Sequence, residues 1–282
     1  MSVERARYPA SPLRGKLIRA GLLAAALGYV AFLLLAPLIG IVWIALKGGL
    51  HIVSDTFSQP DVRHAFFLTG IITVVTVVVT AIFGVAVALV LARDSFRGKR
   101  LMSAVVDLPF AVSPVIVGLS AVILFGRGGW FEAFFAARGI QIIFALPSMA
   151  LVTIFISIPF VIREVVPVLE ELGTEEEDAA RTLGASPLQS FFRVTLPNTR
   201  WALLYGVALS TARSLGEIGA VLIVSGAIQG QTETATLYIL RALEERQDTS
   251  GYLVALTLAA ASVVVLLGIE VFKRRQAKEM GR

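Results

Sequence analysis

The sequence contains no cysteine, only two histidines and few charged residues. The absence of cysteine excludes a disulfide framework and any thiolate metal site. His51 and His64 lie in one short polar segment, where we expect them to be solvated rather than to bind a metal. Charged residues make up 16% of the chain, against about 25% in soluble globular domains. This shortage, together with 56% hydrophobic residues, predicts an integral membrane protein.

Long apolar runs supply the candidate membrane spans. A spanning helix needs roughly 20 predominantly apolar residues. The runs that qualify are 20–46, 65–92, 101–126, 140–162, 201–226 and 251–272. They are too long and too uniformly apolar to be barrel strands of about 10 residues, and an isolated strand would leave its backbone polar groups unpaired in lipid. We therefore predict an all-α domain of six transmembrane helices over residues 20–272, with tails at 1–19 and 273–282.

Lysine and arginine are distributed unevenly between the predicted loops. Most of the 25 lie in the two tails and in the second and fourth loops, and Arg213 lies inside a span. Cytoplasmic segments of membrane proteins are enriched in these residues. We therefore predict that both termini and the fourth loop, residues 163–200, lie in the cytoplasm. The same distribution explains the net charge of +5 without nucleic acid as a partner.

One polar segment, residues 174–197, interrupts the apolar sequence between the fourth and fifth spans. Thr174 and Glu177 are spaced as a capping box, in which each side chain bonds the other residue's amide. The acidic residues 175–178 suit the positive end of a helix dipole. Gly184 stands where a left-handed residue ends a helix. We therefore predict a short helix between Thr174 and Gly184.

A second short helix is predicted directly after this turn. Ser186 and Gln189 have the spacing of another capping box, and Pro187 occupies the first helical position, which proline favours. Pro197 lacks an amide hydrogen, so we expect it to end the helix. The segment therefore predicts a helix-turn-helix on the cytoplasmic side.

Apolar residues recur on one face of each predicted helix. They are Ala179, Ala180 and Leu183 on the first helix and Leu188, Phe191, Phe192 and Leu196 on the second. This helical spacing admits two interpretations. The stripe either packs onto the membrane helices of its own chain or enters a groove on a partner protein.

The same segment resembles the EAA loop of ABC-importer permeases. The family pattern places Gly, Ile and Leu-Pro at fixed intervals after Glu-Ala-Ala, and Asp178-Ala179-Ala180 is followed at those intervals by Gly184, Val194 and Leu196-Pro197. The resemblance implies the MetI-like fold of type I ABC importers, with a core of about residues 64–272. It also implies that the loop docks onto an ATP-hydrolysing subunit and transmits its closure. The coupling-loop residues are Asp178, Ala179, Ala180, Gly184, Ser186, Phe191, Phe192, Val194, Leu196 and Pro197.

The sequence offers no ATPase chemistry of its own. A P-loop needs a glycine, four residues, then Gly-Lys-Ser/Thr, and the nearest string, Gly98-Lys99-Arg100, lacks the earlier glycine and the hydroxyl residue. No Ser-His-Asp set or metal-ligand cluster is evident. We therefore expect this chain to be no enzyme and to bind no cofactor, with ATP and Mg²⁺ bound by a separate ATPase subunit.

Further stretches bear on the cargo. Residues 107–114 and 197–206 resemble the CysW-type permeases of sulfate/thiosulfate importers, whereas 212–220 contains a Gly-Glu-x-Gly-Ala core shared with molybdate permeases. The resemblance implies a bacterial inner-membrane heterodimer with a CysT-type permease, a CysA-type ATPase dimer, and a periplasmic or lipid-anchored sulfate-binding protein. A molybdate or tungstate permease is the close alternative. An ion-gradient-driven secondary transporter is the distant alternative, because such folds tend to show internal repeats and this sequence shows no clear one.

A few polar residues lie inside the predicted spans. Arg213 and Glu217 are costly in lipid and stand four residues apart, so they can pair on one helix face. They form either a structural pair or part of an anion path. Ser113, beside Pro114, either helps to shape a helix interrupted by proline or offers its hydroxyl to an oxyanion.

Overall fold

The computed structural model describes residues 12–47 and 49–280, and every regular element in those ranges is a helix. Residues 1–11 and 281–282, assigned above to the tails, lie outside the described residues. The helices are α1 (Pro12–Lys47), α2 (Leu50–Ser58), α3 (Pro60–Arg93), α4 (Lys99–Ala111), α5 (Pro114–Phe125), α6 (Glu132–Ala136), α7 (Leu146–Leu172), α8 (Glu175–Thr182), α9 (Pro187–Ser190), α10 (Leu196–Leu215), α11 (Gly219–Ser225), α12 (Ala235–Glu244) and α13 (Asp248–Met280). A π-helical turn, Phe191–Thr195, joins α9 to α10.

Four of these helices contain segments long and apolar enough to cross a membrane on their own, and two bent helix pairs bring the number of crossings in the described chain to as many as six. The single helices are α1, α3, α7 and α13. The third span is α4 and α5, bent by 109°, and the fifth is the α9–α10 helix followed by α11, bent by 55°. The predicted all-helical membrane fold is confirmed, but two spans are broken rather than straight.

The break in the third span follows from its prolines. Pro109 and Pro114 both remove backbone donors, and a residue that precedes proline favours an extended backbone. Ser113 adopts φ −60° and ψ 136°, and α5 begins at the next residue. The prolines therefore account for the break, and both interpretations of the Ser113 hydroxyl stay predictions. Ser113 is left exposed at the break, without a capping hydrogen bond from its side chain.

The centre of the fold is a close packing of α3, α7 and α10. A Cβ added to Gly84 would lie 2.8 Å from Val161 Cγ1, and one added to Gly206 would lie 2.8 Å from Val161 Cα. Buried hydroxyls also face each other between these helices, with Thr80 and Ser210 joined at 3.1 Å. Small residues and interhelical hydroxyl contacts are the usual means by which membrane helices associate. The packing makes these three spans a single support for the segments at their ends.

The end of the fold away from α8 is held by an ion pair. Glu233 is 1% exposed, and Arg241 Nε and Nη2 donate to its two oxygens at 2.7 and 3.0 Å. The hydrogen bond to Glu233 raises the pKa of Arg241 above its usual value. The guanidinium also lies 5.1 Å from the Tyr238 ring centroid. This buried pair fixes α12 against the loop that precedes it.

Candidate coupling surface and anion path

The residues predicted for the coupling loop all lie in one segment of the structure, whose exposed side we call the coupling surface. It is formed by α8, the turn that follows it, α9 and the π-helical turn that leads into α10. The structure therefore brings Asp178 and Pro197, at the two ends of the motif, into the same feature. Ser113, Arg213 and Glu217 lie elsewhere, at the breaks of the third and fifth spans.

Gly184 makes the turn after α8. Its φ is +86°, its amide donates to Arg181 O at 2.9 Å, and the amide of Ala185 donates to Ala180 O at 3.0 Å. These two bonds are those of a Schellman motif, which satisfies the last carbonyls of a helix and needs a left-handed residue. The predicted end of the first short helix is confirmed.

Replacing Gly184 with valine is expected to weaken docking of an ATPase without preventing membrane insertion. A Cβ at this position meets no atom within 4 Å, so the penalty arises from the backbone rather than from a collision. The left-handed conformation costs an ordinary L-residue about 1–2 kcal/mol and is worse for a β-branched one. The amount of ATPase that co-purifies with the membrane-inserted chain measures the effect. Gly184→Asn is the matched control, because asparagine tolerates this conformation, and equal losses in both variants would contradict the explanation.

The capping box of the second helix is also confirmed. Gln189 N donates to Ser186 Oγ at 3.3 Å, and Ser186 N donates to Gln189 Oε1 at 2.9 Å.

The prediction that Pro197 ends this helix is wrong. The chain widens into the π-helical turn, in which Leu196 N donates to Phe191 O five residues back, and then continues as α10. Proline is tolerated in the first turn of a helix, so Pro197 marks where α10 begins.

The capping box predicted at Thr174 does not form. Thr174 has φ −110° and ψ −2° and makes no side-chain cap. Glu177 turns away from it, and its Oε1 accepts hydrogen bonds from Arg93 Nη2 at 2.8 Å and from Thr195 Oγ1 at 2.9 Å. A charge-assisted bond is about twice as strong as a neutral one, so the buried arginine displaces the local cap.

Arg93 is the centre of a group of contacts that sequence reasoning missed. Its Nη1 donates to Leu169 O at 2.7 Å, in the last turns of α7, while Nη2 pairs with Glu177 on α8. Both side chains are mostly buried, at 16% and 12% exposure. We call Arg93, Glu177, Thr195 and the Leu169 carbonyl the Arg93 clamp. It fastens α8 to the ends of α3 and α7 and to the start of α10, so a displacement of α8 acts on three spans.

The apolar stripe divides into a packed part and an exposed part. Phe191 is half-buried and contacts the core cluster of α3 and α7, and it meets Phe192 edge-on with ring centroids 5.0 Å apart. Leu183, Leu188 and Phe192 are 89%, 71% and 60% exposed. Packing onto the chain's own helices therefore accounts for Phe191, and entry of the exposed residues into a groove on a partner stays a prediction. The exposed part is an apolar surface beside the acidic first turn of α8.

Arg213 and Glu217 form the pair that their spacing predicted. The ion pair is 2.6 Å long, and Glu217 is 3% exposed. Glu217 lies in the break after α10, where its Oε1 accepts from Ala220 N at 2.9 Å and its carbonyl accepts from Thr236 Oγ1 at 2.8 Å. The carboxylate therefore caps α11 and joins the two halves of the fifth span.

The breaks of the third and fifth spans adjoin each other. A Cβ built on Gly219, at the start of α11, would lie 3.1 Å from Pro114 Cβ, at the start of α5. Ser113 and Glu217 thus belong to neighbouring segments of non-helical backbone. At membrane depth such backbone is tolerated only where protein buries it or where it lines a water-filled cavity.

A second ion pair joins the third and fourth spans. Arg163 donates from Nε to Asp107 Oδ1 at 2.7 Å and from Nη2 to Asp107 Oδ2 and to Ser103 Oγ. Arg163, where the predicted fourth loop begins, lies within α7, which continues to Leu172. Within the described residues, no group of three or more His, Cys, Asp or Glu side chains is arranged to hold a metal ion.

The sequence of this chain matches a known family of transport proteins. Residues 83–280 match the family described as the inner membrane component of binding-protein-dependent transport systems. The chain belongs to this family. Among its relatives are the sulfate transport system permease proteins CysW of Synechocystis, 45% identical over 90% of this chain and 92% of the relative, and of Escherichia coli, 43% identical over 93% and 89%. The CysT protein of Salmonella typhimurium is 38% identical over 90% and 91%.

A solved structure of an ABC transporter has the same fold as this permease. A bacterial alginate ABC transporter crystallised with its periplasmic protein superposes with a TM-score of 0.75, covering 94% of this chain and 96% of that one. The identity is only 19%, so the likeness shows the fold alone. The chain is therefore a multi-pass membrane permease with the MetI-like fold.

Proposed function

We propose that the chain is the membrane-spanning subunit of an ATP-driven sulfate importer in a bacterial inner membrane. The observation that carries this proposal is 45% identity, over nine-tenths of the chain, to a relative named as a sulfate transport permease. The matching stretch includes the coupling surface and both broken spans. Thiosulfate, which shares the tetrahedral shape and double charge of sulfate, is the expected second cargo.

ATP hydrolysis is supplied, in this proposal, by a separate dimeric ATPase of the CysA type. The exposed residues Leu183, Leu188 and Phe192 form the apolar centre of its docking surface, since interface cores are apolar with a polar rim. Closure of the ATPase moves α8, and the Arg93 clamp transmits this displacement to α3, α7 and α10. Docking requires residues 163–200 to lie in the cytoplasm, which places both termini there as well.

The anion path, in this proposal, passes the junction of the two broken spans. α5 begins at Pro114 with no side-chain cap, so the amides of Val115 and Ile116 face the break together with the exposed Ser113 hydroxyl. Helix N-termini favour anions because their amides are unpaired and the dipole is positive there. The Arg213–Glu217 pair holds the adjoining backbone in place, which supports a structural role for Glu217.

The remaining partners follow from the family resemblance. A CysT-type permease forms the other half of the path, because large apolar side chains on α4 and α5, such as Leu101 and Ile123, are left exposed in one chain. A periplasmic or lipid-anchored binding protein delivers the anion to the outer loops, residues 47–64, 127–139 and 227–250. Large apolar side chains on α1, such as Leu27 and Phe32, are exposed and suit contact with lipid or with the partner permease.

Competition experiments test the cargo. In membranes that hold the complete importer, an excess of unlabelled thiosulfate is expected to suppress uptake of labelled sulfate, and molybdate at the same concentration is expected to leave it nearly unchanged. The path must complement the charge and size of the anion, and the larger molybdate fits a sulfate site poorly. Uptake that only molybdate or tungstate suppresses would assign the chain to a molybdate importer instead.

A further inference from the structure

A basic cleft lies between α4 and α7, on the same side of the membrane as the coupling surface. Its volume is about 710 Å³, and its walls include the end of α3, the first turns of α4 and the second half of α7. Three of its lining residues, Lys99, Arg100 and Arg163, are basic, and Glu170 is its only acidic one. The cleft therefore carries an excess of positive charge within a concave, water-accessible space.

Two of these cations have no counter-ion. Lys99 and Arg100 form no ion pair within the part of the chain that the structure describes. Both lie in the first turn of α4, which contains no acidic residue. A carboxylate is the usual charge at this position, because the helix dipole disfavours cations there. The protein thus holds two positive charges next to each other, neither of them in an ion pair among the described residues, against a local electrostatic cost.

The third cation is held in a fixed position. The Arg163 guanidinium is anchored by Asp107 through Nε and Nη2 and by Ser103 at 3.1 Å. Among the described residues, its Nη1 group makes no hydrogen bond. A guanidinium that is already ordered loses little entropy when its remaining donors bind an oxyanion. Arg163 is therefore suited to fix the orientation of a ligand rather than to attract one.

The positive-inside tendency accounts for part of this charge but not for its arrangement. Basic residues that only set topology border a span and face solvent or lipid headgroups. Arg163 lies within α7 and faces the same cleft as the first turn of α4. Arg97, in the loop that precedes α4, is exposed and does not line the cleft. The three cations that line the cleft therefore come from two different helices, α4 and α7.

We propose that this cleft is a cytoplasmic binding site for a tetrahedral oxyanion, occupied by imported sulfate, and that its occupancy slows further import. The ligand class follows from three cationic donors around a hydrated space. The proposal rests on the proposed function, since import is what supplies sulfate on this side. Free sulfate and the phosphate of a lipid headgroup share this chemistry, and we assign the site to free sulfate.

The expected effect on transport follows from the position of the site. A ligand that bridges α4 and α7 stabilises the conformation in which these helices have their present separation. Alternating access requires the spans to rearrange during each cycle, so such a ligand slows turnover. Import would then decline as cytoplasmic sulfate accumulates, which is product inhibition without a separate regulatory domain.

The test uses the complete importer with its binding protein in nanodiscs of neutral lipid, where both faces meet the same solution. As sulfate is raised at constant ionic strength, the ATPase rate is expected to rise while the binding protein fills and to fall at higher concentrations as the cleft fills. The rise in ATPase rate at low sulfate, which we call the rising limb, tests the proposed function. The fall in rate at higher sulfate, the falling limb, tests the cleft. A missing rising limb would therefore contradict sulfate import, whereas a missing falling limb would contradict only the cleft site.

Variants assign the falling limb to the cleft. Lys99→Gln combined with Arg100→Gln is expected to shift it to at least about tenfold higher sulfate, because two charge-assisted contacts are lost. Glu170→Gln is expected to shift the falling limb to lower sulfate, because it removes a negative charge that repels the anion. Impaired folding would not make inhibition stronger, so a shift in this direction cannot come from a folding defect. Arg97→Gln is the matched control and is expected to leave both limbs in place.

Two outcomes overturn the proposal. If the double variant and Glu170→Gln both retain the wild-type falling limb, the inhibition arises elsewhere. If the limb depends on the cleft residues only when anionic lipid is added, the cleft holds a phospholipid headgroup and its assignment to sulfate is wrong. A shift in the predicted directions in neutral lipid supports the site as proposed.

Discussion

Replacing Leu183 and Phe192 together with serine is expected to abolish docking of the ATPase while the chain still folds and inserts. The two side chains are 89% and 60% exposed, so their removal costs little packing within the chain. Apolar anchors at the centre of an interface contribute about 2–4 kcal/mol each. Their joint loss is expected to weaken docking by at least about a thousandfold. Binding of the purified ATPase to the permease complex in nanodiscs measures the effect directly.

A matched control separates docking from a general effect of lost apolar surface. Trp130 is 82% exposed and lies in the predicted outer loop, away from α8. Trp130→Ser is expected to leave ATPase binding unchanged. If the double serine variant binds the ATPase with wild-type affinity, the exposed part of the stripe is not the docking surface, and the partner must contact the acidic first turn of α8 instead.

The parts of the coupling surface that the sequence predicted correctly are those fixed by local contacts. The turn at Gly184 and the capping box at Ser186 depend on hydrogen bonds between residues at most five positions apart. Such signals are complete within a short stretch of sequence. The Arg93–Glu177 pair joins residues 84 positions apart. Glu177 has the spacing of a local cap, but its ion pair with Arg93 at the end of α3 takes the place of that cap.

The broken spans show a similar limit. Pro109 and Pro114 announce an interruption of the third span, but the 109° bend depends on how α5 packs against α11. The fifth span breaks without a proline, at Gly216 and Glu217, and its only sequence signals were the glycine and the charge inside an apolar run. At Pro197 the error is the opposite one, because a helix end was predicted and the chain stays helical. A π-helical turn precedes this proline and places it in the first turn of α10. Hydropathy thus located the spans but did not show which were straight.

Replacing Glu177 with alanine is expected to destabilise the permease and to uncouple ATP hydrolysis from transport. The change leaves Arg93 without its charge partner in a site where its side chain is 16% exposed. Breaking a buried ion pair by removing one partner costs about 3–5 kcal/mol, and we expect the lower end because some exposure remains. Thr195 loses its acceptor at the same time. α8 is then held to the spans by fewer contacts, although its exposed docking residues are intact.

The measurement that distinguishes coupling from stability is the amount of sulfate imported per ATP hydrolysed. We expect Glu177→Ala to bind the ATPase, to hydrolyse ATP and to import much less sulfate for each ATP. Glu245→Ala removes the half-exposed partner of Arg241 at 3.2 Å, on the other side of the fold, and should cost less than about 1 kcal/mol with an unchanged ratio. Glu177→Gln keeps an oxygen that both Arg93 and Thr195 can reach, so its ratio should lie between those of alanine and wild type. If Glu177→Ala lowers thermal stability but keeps the wild-type ratio, the clamp only holds α8 in place, and the motion must pass through the continuous helix from α9 into α10.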